Sequence, residues 1–364
     1  MNIGIPKERR SFEYRVGLSP SGVKMLTQQG HTCYIEHDAG LGAGFNDPEY
    51  EQAGGRIVYS PHEVFGRADL LLKVARPLLE EIQWLRPSTA LAGLLHLGSA
   101  RHDKIEIMLA NDITSIAYEQ IKLADGTVPI RRPLSQIGGT LAAQTGARLL
   151  QNVSGGKGIL IGGVPGVPPA EVAVIGAGIA GTYAARAFMG MNAHLTVLDN
   201  DLDALQTLHD KVPYAITMVS NPINVARVCT YADIVLGAPW VRGERTPIVV
   251  TRDMVRSMKP RSVIIDISID EGGCFETSRP TTHEHPTYIE EGIIHYCVPN
   301  VPSAVARTST HAFLNAAFPL ILEMANKGID AAIAENPAIE SGVGTLHGVI
   351  KHISSLSSMA HQME

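Results

Sequence analysis

Short runs of apolar and β-branched residues alternate with amphipathic stretches along most of the chain. In the first third, NIGIP, TCYIEH, RIVYS, ADLLLKV, TALAGLLHLG and ITSIAYEQI read as strands, with SPSGVKMLTQQG and HDKIEIMLAND as helices between them. Such alternation predicts βαβ units and a mostly parallel sheet. A second series, EVAVI, HLTVLD, AITMVS, DIVLGA, SVIIDIS and IIHYCV, follows a Gly/Pro-rich segment at 155–169. Six strands with helices between them make up a complete dinucleotide-binding domain. Two Ala-rich stretches flank this block, SQIGGTLAAQTGARLLQN before it and TSTHAFLNAAFPLILEMANKG after it, and both read as long helices despite internal glycines or a proline. The final stretch, 345–364, patterns weakly, and there is no internal repeat.

The glycines after EVAVI sharpen this picture. Gly176, Gly178 and Gly181 stand at G-x-G-x-x-G spacing between a strand and a helical pattern, TYAARAFMG. In that context the first glycine permits a tight turn, the second lets backbone approach a pyrophosphate, and the third lets helix pack on strand. The helix N-terminus then offers free N–H groups to the phosphates. Asp199 ends the next strand, where a carboxylate accepts hydrogen bonds from a ribose diol and repels a 2′-phosphate, so NAD is expected rather than NADP. The expected fold class is α/β, with two Rossmann-like doubly wound domains. The NAD-binding domain, 132–303, is inserted into a discontinuous substrate domain formed by 1–131 and 304–364.

Composition narrows the function classes. With 45% hydrophobic and 18% charged residues, the chain of 364 residues is ordinary globular material, not disordered, collagen-like or coiled-coil. Thirty basic against 36 acidic side chains leave no excess to neutralise phosphates along a nucleic acid, so small molecules and further copies of the chain are the expected partners. The four cysteines, Cys33, Cys229, Cys274 and Cys297, form no CxxC pair, which points to a reduced, cytoplasmic enzyme without a structural zinc or disulfide. MNIGIPKERR lacks the apolar core of a signal peptide. The most apolar stretch is broken by Pro165, Pro168, Pro169 and Glu171, so no membrane span is expected.

A nicotinamide enzyme must hold its substrate and move protons. Arg15, just after the first strand, has the guanidinium fork that grips a carboxylate, although a surface ion pair is the reading the sequence alone favours. Lys73 ends the run ADLLLKV, where it either snorkels out or points into a cleft. His96 closes another apolar run and suits acid–base work, against the commoner fate of a core histidine bonded to backbone. Both end strands of one domain, and ligands of open α/β sheets lie beyond the carboxyl ends of strands. In the second domain Asp270, beside a Gly-Gly loop, is placed to face a cleft, whereas Asp266 between isoleucines reads as satisfying backbone. Cys274 has no neighbour to activate it and reads as structural. THEHPTYIEE, with His283, Glu284 and His285, lacks metal-ligand spacing and reads as a solvated loop, so no metal is expected.

At these residues the chain resembles the bacterial alanine dehydrogenase family over nearly its whole length. The matching strings are GIPKE with RVGLSP, HDAGLGAGF, ADLLLKV, LLHLG, SIAYE, GGVPGVPPAEVAVIGAGIAG, DISIDEGGCFETSRPTTHEHPTY, YCVPN and RTST. The proton-translocating transhydrogenases share the fold but lack the DISIDEGGCFE form. The resemblance implies reversible oxidative deamination of L-alanine to pyruvate and ammonia with NAD. It implies that Arg15 and Lys73 bind pyruvate, that His96 is the catalytic acid–base, and that Asp270 is its partner near the nicotinamide. Ser135, Gly176, Ala177, Gly178, Gly181, Asp199, Ser220 and Asn300 are implied to contact NAD, in a homo-hexamer; two domains with a cleft predict closure around NAD.

The chain departs from the family pattern in places. The usual K-V-K-E-P is KVARP, which puts Ala75 and Arg76 where the family has Lys and Glu. Leu134 and Gln136 replace Met and Glu, Val301 stands in a family A-N-M-P, Ala204 replaces a basic residue, and APWVRGERTPIVV differs from V-L-V-P-G-A. Leu134 and Val301 leave open a related oxidoreductase joining another 2-oxo acid to a different amine, as carboxyalkyl-amino-acid synthases do. The alternative from another class is a non-catalytic NAD-sensing module, against which the presence of Arg15, Lys73, His96 and Asp270 speaks.

Overall fold

The computed structural model describes residues 1–241 and 245–353. The chain divides into two compact units, Met1–Leu134 with the chain from Ser303 onward, and Ser135–Pro302. The first unit opens with β1 (Asn2–Ile5), β2 (Thr32–Glu36), β3 (Arg56–Val58), β4 (Leu70–Ala75), β5 (Ala90–Leu94) and β6 (Thr114–Ala117). The second contributes β7 (Glu171–Ile175), β8 (His194–Asp199), β9 (Ile216–Val219), β10 (Ile234–Gly237), β11 (Val263–Asp266), β12 (Thr287–Glu290) and β13 (Ile293–Tyr296). The chain returns to the first unit for β14 (Val343–Leu346) and β15 (Val349–Ile350).

Both sheets are doubly wound. The first runs β15-β14-β6-β5-β4-β1-β2-β3, parallel from β3 to β6, with β14 and β15 antiparallel at one edge. The second runs β12-β13-β11-β10-β7-β8-β9, with only β12 antiparallel. Within each unit the chain starts mid-sheet, winds to one side, then crosses and winds to the other, the arrangement of dinucleotide-binding folds. The expected α/β class is what the chain adopts. Two details differ from the sequence reading. The weakly patterned C-terminal stretch and the two residues before it hold two antiparallel edge strands up to residue 350, while 354–364 lies outside the described residues. Only the first half of THEHPTYIEE is loop, because TYIE pairs with β13 as β12.

The two Ala-rich stretches are helices, α1 (Arg131–Leu149) and, after the nucleotide motif's own helix α2 (Ile179–Gly190), α3 (Ala306–Lys327), which continues through Pro319. Strands covered on both faces read as continuous apolar runs, and alternate residues feed different cores. Leu70, Leu72 and Val74 of β4 pack in one core of the first unit and Leu71 in the other. By this period of two, Lys73 falls on the face of Leu71, a polar group in an apolar layer. No helix among the described residues is long and apolar enough to cross a membrane.

Candidate active site

In the first unit the polar residues gather at the carboxyl ends of β1, β4 and β5. Lys73 is 1% exposed. Its Nζ lies 2.8 Å from Glu81 Oε1 and 3.0 Å from Glu8 Oε2. Burial disfavours the ammonium, but the two carboxylates outweigh it and hold the Lys73 pKa above the usual lysine range, so the side chain stays charged. Glu8, just past β1, also accepts a hydrogen bond from the Val74 backbone N–H at 2.6 Å, tying the two strand ends together. Burial raises the Glu8 carboxyl while Lys73 opposes the shift. Lys73 therefore does not snorkel to solvent; it is the cation of a buried ion-pair cluster at the strand end.

Arg15 is also buried rather than part of a surface pair. Its Nε and Nη2 donate to the two carboxylate oxygens of Glu13 at 2.7 and 2.6 Å, a fork that fixes the guanidinium plane. The segment that follows runs against β4, since a Cβ on Gly17 would sit 2.1 Å from the Leu72 carbonyl oxygen and 3.2 Å from the Lys73 nitrogen. Arg15 is thus carried to the strand that bears Lys73.

His96 lies two residues beyond β5, and its side chain is exposed, which removes the core-histidine reading. Its backbone is left-handed, with φ +45° and ψ +47°, a conformation that strains a non-glycine residue. Glu119 holds it there: the His96 and Leu95 backbone N–H groups donate to the two Glu119 oxygens at 2.6 and 3.1 Å. Because β4 and β5 are paired neighbours, this places an exposed imidazole and a buried ammonium at adjacent strand ends. Glu8, Glu13, Glu81 and Glu119 were not singled out from the sequence. The only signal was acidic residues beside apolar runs, and for Glu8 and Glu119 the partners lie far along the chain.

The second unit carries the other predicted residues. Gly176 follows β7 with φ +107°, and a Cβ there would stand 2.7 Å from the Ala238 carbonyl oxygen beyond β10. The turn therefore sits where the strand order reverses, between β7 and β10. A Cβ on Gly181 would stand 1.8 Å from the Gly176 carbonyl oxygen, so only glycine lets α2 pack this close. On Gly178 a Cβ would meet nothing within 4 Å, and no side chain caps α2. That open cradle beneath uncapped N–H groups fits a pyrophosphate. Asp199 accepts from the Ala177 N–H at 2.6 Å and the Asp201 N–H at 2.9 Å, and its carbonyl oxygen accepts from the Ser220 N–H at 2.8 Å. The structure thus gathers Ala177, Asp199 and Ser220 around the glycine turn.

A second cluster in this unit joins Asp270, exposed in the short turn after β11, to Asn300, whose backbone N–H donates to Asp270 Oδ2 at 3.1 Å. Asn300 is left-handed, with φ +52°. Ser135 is half-buried on α1. Asp266 is fully buried and accepts from the Ser268 and Cys274 N–H groups and from Ser278 Oγ, the backbone-satisfying role expected of it. Burial lifts the Cys274 thiol far above its usual range, which leaves it inert. Of the departures, Leu134 and Val301 are buried in the apolar cores of their respective units, and residues 242–244 of the altered APWVRGERTPIVV stretch lie outside the described residues.

Comparison with known proteins decides the family. Residues 4–138 match the description "Alanine dehydrogenase/PNT, N-terminal domain" and residues 142–353 match "Alanine dehydrogenase/PNT, C-terminal domain". The chain belongs to the alanine dehydrogenase/PNT family. Among relatives in the family, the alanine dehydrogenase of Methanococcus maripaludis is 44% identical over 97% of this chain and 95% of its own length. That of Geobacillus stearothermophilus is 42% identical over 100% of this chain and 97% of its own. A solved L-alanine dehydrogenase structure superposes with a TM-score of 0.95 at 38% identity, covering 99% of each chain. A transhydrogenase from Sinorhizobium meliloti, at 23% identity and a TM-score of 0.83, covers 97% of this chain and 100% of its own, and shares the fold. Identity of 42–44% to alanine dehydrogenases over nearly the whole chain, with the close superposition on L-alanine dehydrogenase, makes this chain a pyridine-nucleotide-dependent amino-acid dehydrogenase.

Proposed function

We propose that the chain catalyses the reversible, NAD-dependent oxidative deamination of L-alanine to pyruvate and ammonia. The first unit is then the substrate domain and the second the NAD domain. The observation that carries this reading is the pairing of an exposed, backbone-strained His96 with a charged Lys73 at neighbouring strand ends, with the Arg15 segment packed on the same strand. Family membership over the whole chain supports it.

Bound at the glycine turn, NAD supplies the acceptor for the hydride that leaves the alanine Cα. The chain's own residues do the rest. Gly176, Ala177, Gly178 and Gly181 hold the pyrophosphate through backbone, and Asp199 and Ser220 hold the adenosine ribose. Ser135, Asp270 and Asn300 serve the nicotinamide end. The carboxylate choice at Asp199 favours NAD, since a 2′-phosphate there meets a like charge.

Arg15 binds the substrate carboxylate, its plane kept by Glu13. Lys73 donates to the substrate oxygen as negative charge develops there, and Glu8 and Glu81 keep it protonated. His96 takes a proton from the water that adds to the substrate iminium and returns it to the departing ammonia as the carbinolamine collapses. An imidazole can serve as both acceptor and donor in such a proton relay. The resemblance supports a homo-hexamer, and reduced cysteines support the cytoplasm. The test is initial rates with NADH across a panel of 2-oxo acids and amines. Pyruvate with ammonia is expected to be the fastest pair, and no NADH consumption with that pair would overturn the assignment.

A further inference from the structure

Beside the His96 turn, and wholly within the first unit, lies a cavity of about 190 Å³ that the proposed reaction does not use. Four cations line it: Arg10, Arg76, Arg101 and Lys104. Arg101 is paired with Asp103 at 2.7 Å. The other three bond only neutral oxygens. Arg10 Nε donates to the Arg76 carbonyl at 2.8 Å, Lys104 Nζ to the Pro77 carbonyl at 2.8 Å, and Arg76 Nη1 to Ser99 Oγ at 3.2 Å. Among the described residues no carboxylate forms an ion pair with any of the three, although Glu8 and Glu81 act on Arg10 at longer range.

Like charges held together this way raise one another's free energy. Burial first and Arg76 next pull the Arg10 guanidinium below its usual range, and burial, Arg10 and Arg76 do the same to the Lys104 ammonium. The floor beneath these heads is apolar, with buried Leu95, Ile105 and Met108 at its surface. A solvated rim of lysines and arginines needs no such floor.

We infer that this cavity binds an aliphatic carboxylate, its anionic end held by Arg10, Arg76 and Lys104 and its hydrocarbon end resting on Leu95, Ile105 and Met108. The bound anion supplies the counter-charge the three cations lack, and the apolar floor selects an organic anion over a fully hydrated one. Arg76 reaches Ser99, whose hydroxyl donates to the His96 carbonyl at 3.1 Å, so the ligand sits one side chain from the His96 turn.

Titration calorimetry on the full chain with 4-methylpentanoate and, separately, inorganic phosphate tests this. One 4-methylpentanoate is expected per chain, bound about tenfold more tightly than phosphate, as burial of roughly two methylenes implies. Arg76→Glu and Lys104→Gln, each checked for an unchanged melting temperature, are expected to weaken it by tenfold or more, as losing a charge-assisted hydrogen bond of about 1.5–3 kcal/mol requires. Lys211→Gln, on an exposed helix end of the second unit, is expected to change nothing. Absence of binding, equal affinity for phosphate, or full affinity in both cavity variants would overturn the inference.

Discussion

At the end of β7 the chain leaves open space, and at the end of β4 it packs a buried charge between partners. An added Cβ on Gly178 would meet nothing within 4 Å, and the helix beyond it has no side-chain cap. Lys73 is 1% exposed and already carries two carboxylates. One site is made of backbone and vacant space, the other of side-chain charges that neutralise one another. The contrast shows two ways of preparing for an anionic ligand. A pyrophosphate needs only N–H groups and clearance, which three glycines and a helix end provide without any buried charge. A substrate whose oxygen must be polarised needs a fixed ammonium, and an ammonium in an apolar layer persists only with partners.

Substitutions separate the two preparations. The largest effect is expected at His96. His96→Ala removes the proposed proton-transfer group and is expected to lower kcat by about 10²–10⁴-fold while NADH, titrated by fluorescence, binds as before. Next is Lys73→Ala, which strands Glu8 and Glu81 without their cation. Breaking a buried pair costs about 3–5 kcal/mol, so thermal melting is expected to fall sharply, and activity with it.

The glycine turn responds in a finer way. Gly181→Ala places a Cβ 1.8 Å from the Gly176 carbonyl oxygen and is expected to destabilise the fold by about 1–3 kcal/mol, as overpacking does. Gly178→Ala has the space and an ordinary φ of −65°. It is expected to leave melting unchanged and to weaken NAD by roughly tenfold through lost contact with the phosphates. Equal effects at the two glycines would dissolve the distinction between packing and cradle. The smallest change is expected from Asp199→Asn. It keeps an acceptor for the Ala177 N–H and removes the charge, so the ratio of NADP to NAD turnover rises by a few-fold, about 1 kcal/mol of relieved repulsion.

The same contrast governs what could be read in advance. The parallel strands announced themselves as apolar runs, and Gly176, Gly178, Gly181 and Asp199 form a local pattern whose physical demands lie within a few residues of each other. Lys73 and His96 were legible as oddities in apolar company. Their supports were not, because Glu8 meets Lys73 only once β1 and β4 pair, Glu81 only once the chain after β4 folds back over the strand end, and Glu119 meets His96 only once β5 and β6 pair. Arg15 was misplaced for a similar reason: its partner Glu13 is near in sequence, but the burial of the pair is set by packing on β4. The antiparallel strands β12 (TYIE) and β14 (VGTL) mix polar or glycine positions into four residues instead of forming a continuous apolar run, and β15 has only two residues.

The central claim is that hydrogen leaves the Cα of alanine for a pyridine nucleotide held by this chain. Incubation with NAD and L-alanine deuterated at Cα tests it most directly. NADH carrying the deuterium, formed in equal amount with pyruvate and ammonia, is the expected result; unlabelled NADH, or none, would contradict it.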